Sequence, residues 1–442
     1  MTAVSGTEAG VGVGTGARIG AGTGARNGAG TGAGAGAGTG AGVGVGTGAG
    51  VEAGAGVEGG RDRLVDAVRA ASLAVVVAGH WLMASVSVSS NGRIVGENAL
   101  TSLAALRPAT WVLQVMPLFF MAGGFANLTV WRRTVAAGGG PRDFVSTRLG
   151  RLWRPAAVFL AAVPVVAVVA LAAGLPAGDA LAVAGLLVQP LWFLAVYSGI
   201  IVVAPLLVRR HAAAPRTVLV LLALGAVAVD VVRLTGAPAG SAPGGSALFE
   251  AVPAVLPFAN LALVWLFAHQ LGVWYAEGRL IGVSRRRLWA VLAAAVAVLV
   301  LLTGPGPYPV SMVGLPGQLS NMSPPTVCVI VLSLAQGAAV LLARPRLLCG
   351  LDRPAVWAAV RRFGAVAMTV YLWHLLVLVA GFGVLLALDR PPPEPGGATW
   401  WLTRPAWLLA LTLVLLAVVA LVRRCGPRDR VPSRSPGRRD RT

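Results

Sequence analysis

LVDAVRAASLAVVVAGH, residues 64–80, is the stretch on which the reading of the fold turns. It has the apolar run that opens a membrane span, yet it carries Arg69 near its start and His80 further along the same helix. At 1.5 Å per residue the imidazole lies roughly 16 Å deeper than the guanidinium, which places one at the edge of a bilayer and the other near its midplane. An ionisable group at that depth is costly and marks a functional site. Asp66 and Arg69, three apart, share a helix face and are expected to pair at the membrane edge. His80 falls close to the same face, and burial disfavours charged imidazole, so it is expected to be neutral and able to accept a proton. The ordinary alternatives are a packing histidine bonded to a neighbouring helix and an arginine that anchors topology.

Working outward, the 442 residues are 56% hydrophobic and 12% charged, with a mean hydropathy of +0.78, a composition that excludes a water-soluble globule of this size. From Leu64 onward about ten runs are long enough to cross some 30 Å of hydrocarbon. Their approximate cores are 69–88, 109–131, 155–174, 191–208, 217–234, 252–275, 287–303, 325–343, 364–388 and 405–422. Segment 178–189 is too short to span and reads as a re-entrant or interfacial lead-in to the fourth helix. Residues 1–60 are Gly/Ala-rich repeats that cannot bury enough side chain to order their backbone, and they are expected to be disordered, as is the Arg-rich tail 425–442. Chance GxGxxG strings in that head lack the strand and helix a dinucleotide site needs, and no signal-peptide pattern is present.

All 36 basic residues are arginine, and the net charge is +20. The arginines sit in short loops between apolar runs, which points to membrane topology and away from nucleic acid. With the N-terminus inside, 31 arginines fall on the cytoplasmic side and 5 outside, namely Arg93, Arg107, Arg233, Arg390 and Arg404. The expected fold is therefore an all-α integral membrane bundle of about ten helices with both termini cytoplasmic. Cys328, Cys349 and Cys425 have no metal-ligand spacing and read as packing or incidental thiols, and no metal is expected.

Four constellations can carry chemistry. Asp66, Arg69 and His80 form the first. In RDFVSTRLGRLWRPA, Arg148, Arg151 and Arg154 recur every three residues, a spacing at which guanidiniums can converge on a pyrophosphate; a plain positive-inside cluster is the alternative. QVMPLFFMAGGFANLTVWRR places Pro117 and Gly123-Gly124 where they break helical regularity, with Gln114 and Asn127 as polar groups in the same span. Close packing on small residues is the competing account. Later spans add Trp192, Tyr197, Asp230, Asn260, His269, Gln270, Tyr371 and His374, with Asn321 and Ser323 at the mouth of the eighth span, each readable as a structural hydrogen bonder. His211 falls in the loop RRHAAAPR and reads as unremarkable.

Taken in order, LVDAVRAASLAVVVAGH, MPLFFMAGGF, STRLGRLWRP, PLWFLAVY and MTVYLWHLL resemble the membrane-embedded acyltransferase-3 family, which O-acylates extracytoplasmic sugars. The resemblance runs from about 61 to 424, leaving the head and the tail outside. It implies that His80 is catalytic with Arg69 as its partner, and that Arg148 and Arg151, or Arg151 and Arg154, form the family's Arg-x-x-Arg element on the donor side. It also implies a cytoplasmic acyl-CoA donor, with acetyl the default, a carbohydrate or glycolipid acceptor, and no permanently bound cofactor. CoA is polyanionic, so a cationic cytoplasmic mouth suits it. Trp192, Asn127, Tyr371 and His374 are then expected to position the acceptor. The appended hydrolase-like domain of some members has no counterpart, so the expectation is direct acylation at the outer face or hand-over to a separate acceptor or transferase protein. The expected location is the plasma membrane, multi-pass. A transporter or flippase for a lipid-linked sugar is the competing function, though no internal repeat supports it; a scaffold without catalysis is a third.

Overall fold

The computed structural model of the chain describes residues 57–58, 61–88, 94–235 and 255–425. Its helices are α1 (Arg63–Met83), the short α2 (Thr110–Leu113), α3 (Met116–Ala136), α4 (Pro141–Ala172), α5 (Ala177–Val188), α6 (Leu191–Ala213), α7 (Pro215–Thr235), α8 (Asn260–Ala276), α9 (Arg285–Thr303), α10 (Val327–Leu351), α11 (Pro354–Ala387) and α12 (Ala398–Cys425). Among the described residues, ten helices are long and apolar enough to cross a membrane, with α2 joined to α3 and α5 joined to α6 in single spans. The outward faces are apolar and exposed, as at Val165, Val168 and Val169 of α4 and Leu402, Leu409 and Leu413 of α12. In water such a surface would aggregate; it suits hydrocarbon. The protein is an all-α integral membrane bundle. The expected disorder of the Gly/Ala-rich head and the Arg-rich tail lies outside the described residues, apart from the two-residue strands Val57–Glu58 and Arg61–Asp62, which pair antiparallel.

Two local expectations are corrected. The first span does not continue to residue 88: α1 ends at Met83, and Ala84–Val88 pairs antiparallel with Ile94–Asn98. ASVSV alternates small apolar and hydroxyl residues with a period of two, which suits a hairpin and wastes a helical face. His80 therefore sits in the last turn of α1, toward the hairpin end of the bundle, and past the middle of its helix. Second, α3 is not broken at membrane depth. Pro117 occupies its first turn, where no helical hydrogen bond is lost, and the glycines serve packing. Segment 178–189 leads into the fourth span as the sequence indicated, as a regular twelve-residue helix, α5, that passes through Gln189-Pro190 into α6.

The closest helix pair is α3 with α8. A Cβ placed on Gly124 would meet the His269 carbonyl oxygen at 1.9 Å, and one on Gly272 would meet that of Met121 at 1.8 Å. Each helix thus offers a glycine where the other presents backbone, the small-residue solution for helix packing in lipid. Around this crossing Phe120, Phe193, Tyr197 and Trp265 form an aromatic wall, with Phe120 and Trp265 stacked at 4.5 Å.

At the hairpin end, the loop between α9 and α10 is latched by one buried carboxylate. Asp230 of α7 accepts from Asn260 Nδ2 at 2.9 Å, from the Tyr308 hydroxyl at 2.9 Å and from the Val327 backbone N–H at 2.8 Å. The last of these is an unpaired amide at the start of α10, where negative charge also suits the helix dipole. Asn321, also buried, ties the same loop to itself through Pro309 O, Ser311 O and Thr326 Oγ1. Burial and then the Asp230 carboxylate raise the Tyr308 hydroxyl above the ordinary phenol range. A raised acid is favoured protonated in the fold, so this contact contributes fully below about pH 10 and is lost only as pH rises further. Asp230→Ala orphans three buried donors at about 1 kcal/mol or more each, and is expected to lower the melting temperature of the detergent-solubilised protein by several degrees. A melt unchanged from wild type would show that the latch does not hold the loop.

Candidate active site

Asp62 starts α1: its carboxylate accepts the Val65 N–H at 3.1 Å and the Tyr275 hydroxyl at 2.9 Å, so the cap is also a tie to α8. From that start the helical repeat carries Arg69 and His80 to nearly the same face, roughly 20° apart. Arg69 is part-exposed and 3.7 Å from Asp66, as the spacing indicated. His80, half-buried, meets His374 of α11, which is fully buried.

The two imidazoles are 2.8 Å apart, His80 Nδ1 to His374 Nε2, with ring planes 10° apart and centroids 5.1 Å apart. That separation fits rings meeting edge to edge in a common plane through the N···N contact; they do not overlap face to face. The protons can be assigned from the far end of the chain. His374 Nδ1 lies 2.7 Å from the Tyr371 carbonyl oxygen, which can only accept, so Nδ1 carries the hydrogen. In a neutral His374, Nε2 is then an acceptor, and the bond must come from His80 Nδ1–H. His80 is left with an unprotonated Nε2, the nitrogen a base or nucleophile uses. Trp81 adds a second tie, its Nε1 donating to the His374 carbonyl at 3.0 Å. The Tyr371 hydroxyl donates to the Pro190 carbonyl at the turn between α5 and α6, so it holds His374 in place and is itself engaged.

A second polar group lies on the α3, α4, α6 and α8 side. Arg148 Nη2 donates to Asn127 Oδ1 at 2.7 Å and to the Tyr197 hydroxyl at 3.0 Å, and Asn127 Nδ2 donates to His269 Nε2 at 3.1 Å. Asn127 and His269 are fully buried. Gly123 gives the room: a Cβ there would strike the Tyr197 ring at 2.7 Å. The three arginines do not converge. Along α4 Arg148 turns inward while Arg151 and Arg154 are exposed, because a three-residue step advances 300° and drifts around the helix. Asn127 belongs with Arg148 and not with Tyr371 and His374. Trp192 packs in the aromatic wall, 6.4 Å from Trp265. Phe193 joins the two groups, 5.7 Å from both Tyr197 and Tyr371.

His211, read as a loop residue, is instead fully buried in α6, 3.4 Å from Glu277. Trp81 and the Pro190 carbonyl were not singled out by sequence; an indole next to a candidate catalytic residue was the available signal. Among the described residues no group of three or more metal-ligating side chains is arranged to hold an ion. A small apolar cleft opens near the start of α1, lined by Leu64, Val68, Met121, Phe125, Gly272 and Gly337, apart from both polar groups.

No curated protein and no solved structure matches the chain. The family described as acyltransferase domain, acyltransferase-3, matches residues 63–423. Since that match runs from the first span to the last, the chain belongs to the acyltransferase-3 family and is a multi-pass membrane acyltransferase.

Proposed function

We propose that the protein sits in the plasma membrane and moves an acyl group, acetyl by default, from cytoplasmic acyl-CoA to a hydroxyl of an extracytoplasmic or lipid-linked carbohydrate. The observation that carries this reading is the His80–His374 pair, with its protons ordered by the Tyr371 carbonyl. His80 Nε2 removes the proton from the acceptor hydroxyl as the oxygen attacks the thioester carbonyl. The carbon–sulfur bond then breaks, and the proton passes from His80 to the leaving sulfur, giving ester and free CoA. While His80 is charged, His374 Nε2 still accepts from its Nδ1–H, an orienting role analogous to the third member of a catalytic triad.

The donor is taken to approach from the arginine-rich end, where Arg69 lies on the His80 face of α1. Arg148 is the inward arginine of its run, held by Asn127 and Tyr197, and its Nε is buried without a partner. It is assigned to the donor, and Arg151 and Arg154 to the outer approach. Arg148→Lys replaces a planar fork by a point charge that cannot hold Asn127 and Tyr197 together. It is expected to raise KM for acyl-CoA about tenfold, the scale of roughly 1.4 kcal/mol, with a smaller change in kcat. Equal KM values would remove Arg148 from the donor site.

The deciding experiment follows labelled acetyl-CoA with proteoliposomes carrying the protein and a glycolipid extract. Free thiol and labelled lipid should appear together and depend on the protein. Movement of glycolipid across the bilayer without thiol release would overturn the enzyme reading in favour of a transporter.

A further inference from the structure

The inward face of α12 repeats Trp400, Arg404, Leu411, Leu415 and Val419, all buried. Four of these are apolar, and one is a guanidinium placed where the helical period calls for a core side chain. Arg404 is only 5% exposed and lies 4.5 Å over the Trp400 ring. Among the described residues no carboxylate pairs with it, and its Nε is sealed without an acceptor, while the terminal nitrogens reach the surface. A snorkelling arginine would lie on the lipid-facing side with its head in water. Here the lipid-facing positions next to it are Trp401 and Leu402, and Arg404 turns the other way. A guanidinium with its Nε sealed and no carboxylate in reach is costly to keep, and its open terminal nitrogens are left for an anion.

We propose that Arg404 and Trp400 form a binding site, at the hairpin end of the bundle, for a phosphate carried on a lipid. The indole fixes the guanidinium plane through its face, leaving the edge for two parallel hydrogen bonds to phosphate oxygens. The site stands at the boundary between protein and exposed apolar helix surface, so the phosphate arrives on a hydrocarbon chain, as headgroups do at basic pockets between helices. A Cβ on Gly381 of α11 would meet Trp407 at 2.7 Å and Leu411 at 3.0 Å, which sets the register between α11 and α12. Arg404 then lies roughly 15–20 Å beyond the His374 level along the bundle. On the proposed function, which this step alone rests on, the phosphate belongs to the lipid-linked acceptor, whose sugar hangs from the site toward His80.

The test uses the full chain in a maltoside detergent free of phospholipid, with farnesyl phosphate, farnesol and inorganic phosphate as probes and thermal unfolding as the readout. Farnesyl phosphate is expected to raise the wild-type melting temperature saturably, and Arg404→Gln to need at least tenfold more for half the effect. Farnesol and inorganic phosphate at the same concentrations are expected to leave wild type unmoved. Arg404→Leu without probe is expected to melt no lower than wild type, since it removes an unpaired charge. No shift with farnesyl phosphate, or an equal shift in Arg404→Gln, overturns the site. An equal shift with inorganic phosphate overturns the lipid as its source. If Arg404→Gln fails to fold, Arg404→Leu takes its place in the titration with the same two outcomes, and no arm depends on acyl transfer.

Discussion

His80→Ala inserts and folds like wild type and loses acyl transfer by a factor of about 10²–10⁴, the scale of a positioned base or nucleophile. The side chain is half-buried at the end of α1, so its loss leaves a small gap and does not unpick the core. His374→Ala is expected to cost less, about tenfold. Without the Nε2 acceptor, His80 can place its proton on either nitrogen, and only part of the population presents an unprotonated Nε2. His374→Asn, whose side-chain oxygen can accept from His80 Nδ1–H, is expected to recover part of that loss. The measurement is the initial rate of CoA thiol release per mole of protein, with elution profile and melting curve as folding controls. Wild-type rates in His80→Ala would dispose of the mechanism. A His374 variant as inactive as His80→Ala would assign His374 a direct part in the chemistry.

Gly124→Ala and Gly272→Ala each abolish the folded state, the largest stability effect expected for single methyl groups in this molecule. The added carbon would stand 1.9 Å from the His269 oxygen or 1.8 Å from the Met121 oxygen, and both obstacles are helix backbone. Neither can rotate aside, so α3 and α8 must separate along their length, and Asn127 is drawn off His269 in the process. A penalty above about 4 kcal/mol is the scale for such overpacking against a rigid neighbour. Gly199→Ala on α6 is the control: nothing lies within 4 Å of its added Cβ, and alanine favours helix. The expected result is monodisperse protein for Gly199→Ala and aggregate for the other two. A folded Gly124→Ala with wild-type melting would mean that the helices are farther apart than described.

The number of spans was legible because lipid imposes it through hydropathy and arginine placement, which act on composition over some twenty residues at a time. The same averaging hid the hairpin, since a window that includes ASVSV still reads as apolar. His80 and His374 could each be placed at depth by counting residues. Their contact, across 294 positions, depends on which faces of α1 and α11 meet, and no local pattern records that. Arg148, Arg151 and Arg154 show the converse limit: regular spacing suggested convergence, but the helical angle disperses them. The adjacent glycines of α3 look like a break when depth is judged without partners; in the bundle Gly124 marks contact with the backbone of α8 and Gly123 makes room for Tyr197 of α6. Arg404 was counted as one of five outer arginines, since charge counting says nothing about which way a side chain turns.

The consecutive pair His80 and Trp81 both end on one residue, the first on the ring of His374 and the second on its carbonyl. Such a double fastening makes α1 and α11 a fixed seam. A carrier that works by rocking one group of helices against another must open a seam at its substrate site in every cycle. Here that would pull apart the two nitrogens, 2.8 Å from each other, on which the proposed chemistry depends. On the proposed function, the economical arrangement is a stationary reaction centre, in which donor and acceptor would approach from opposite faces and only the acyl group would cross the bilayer.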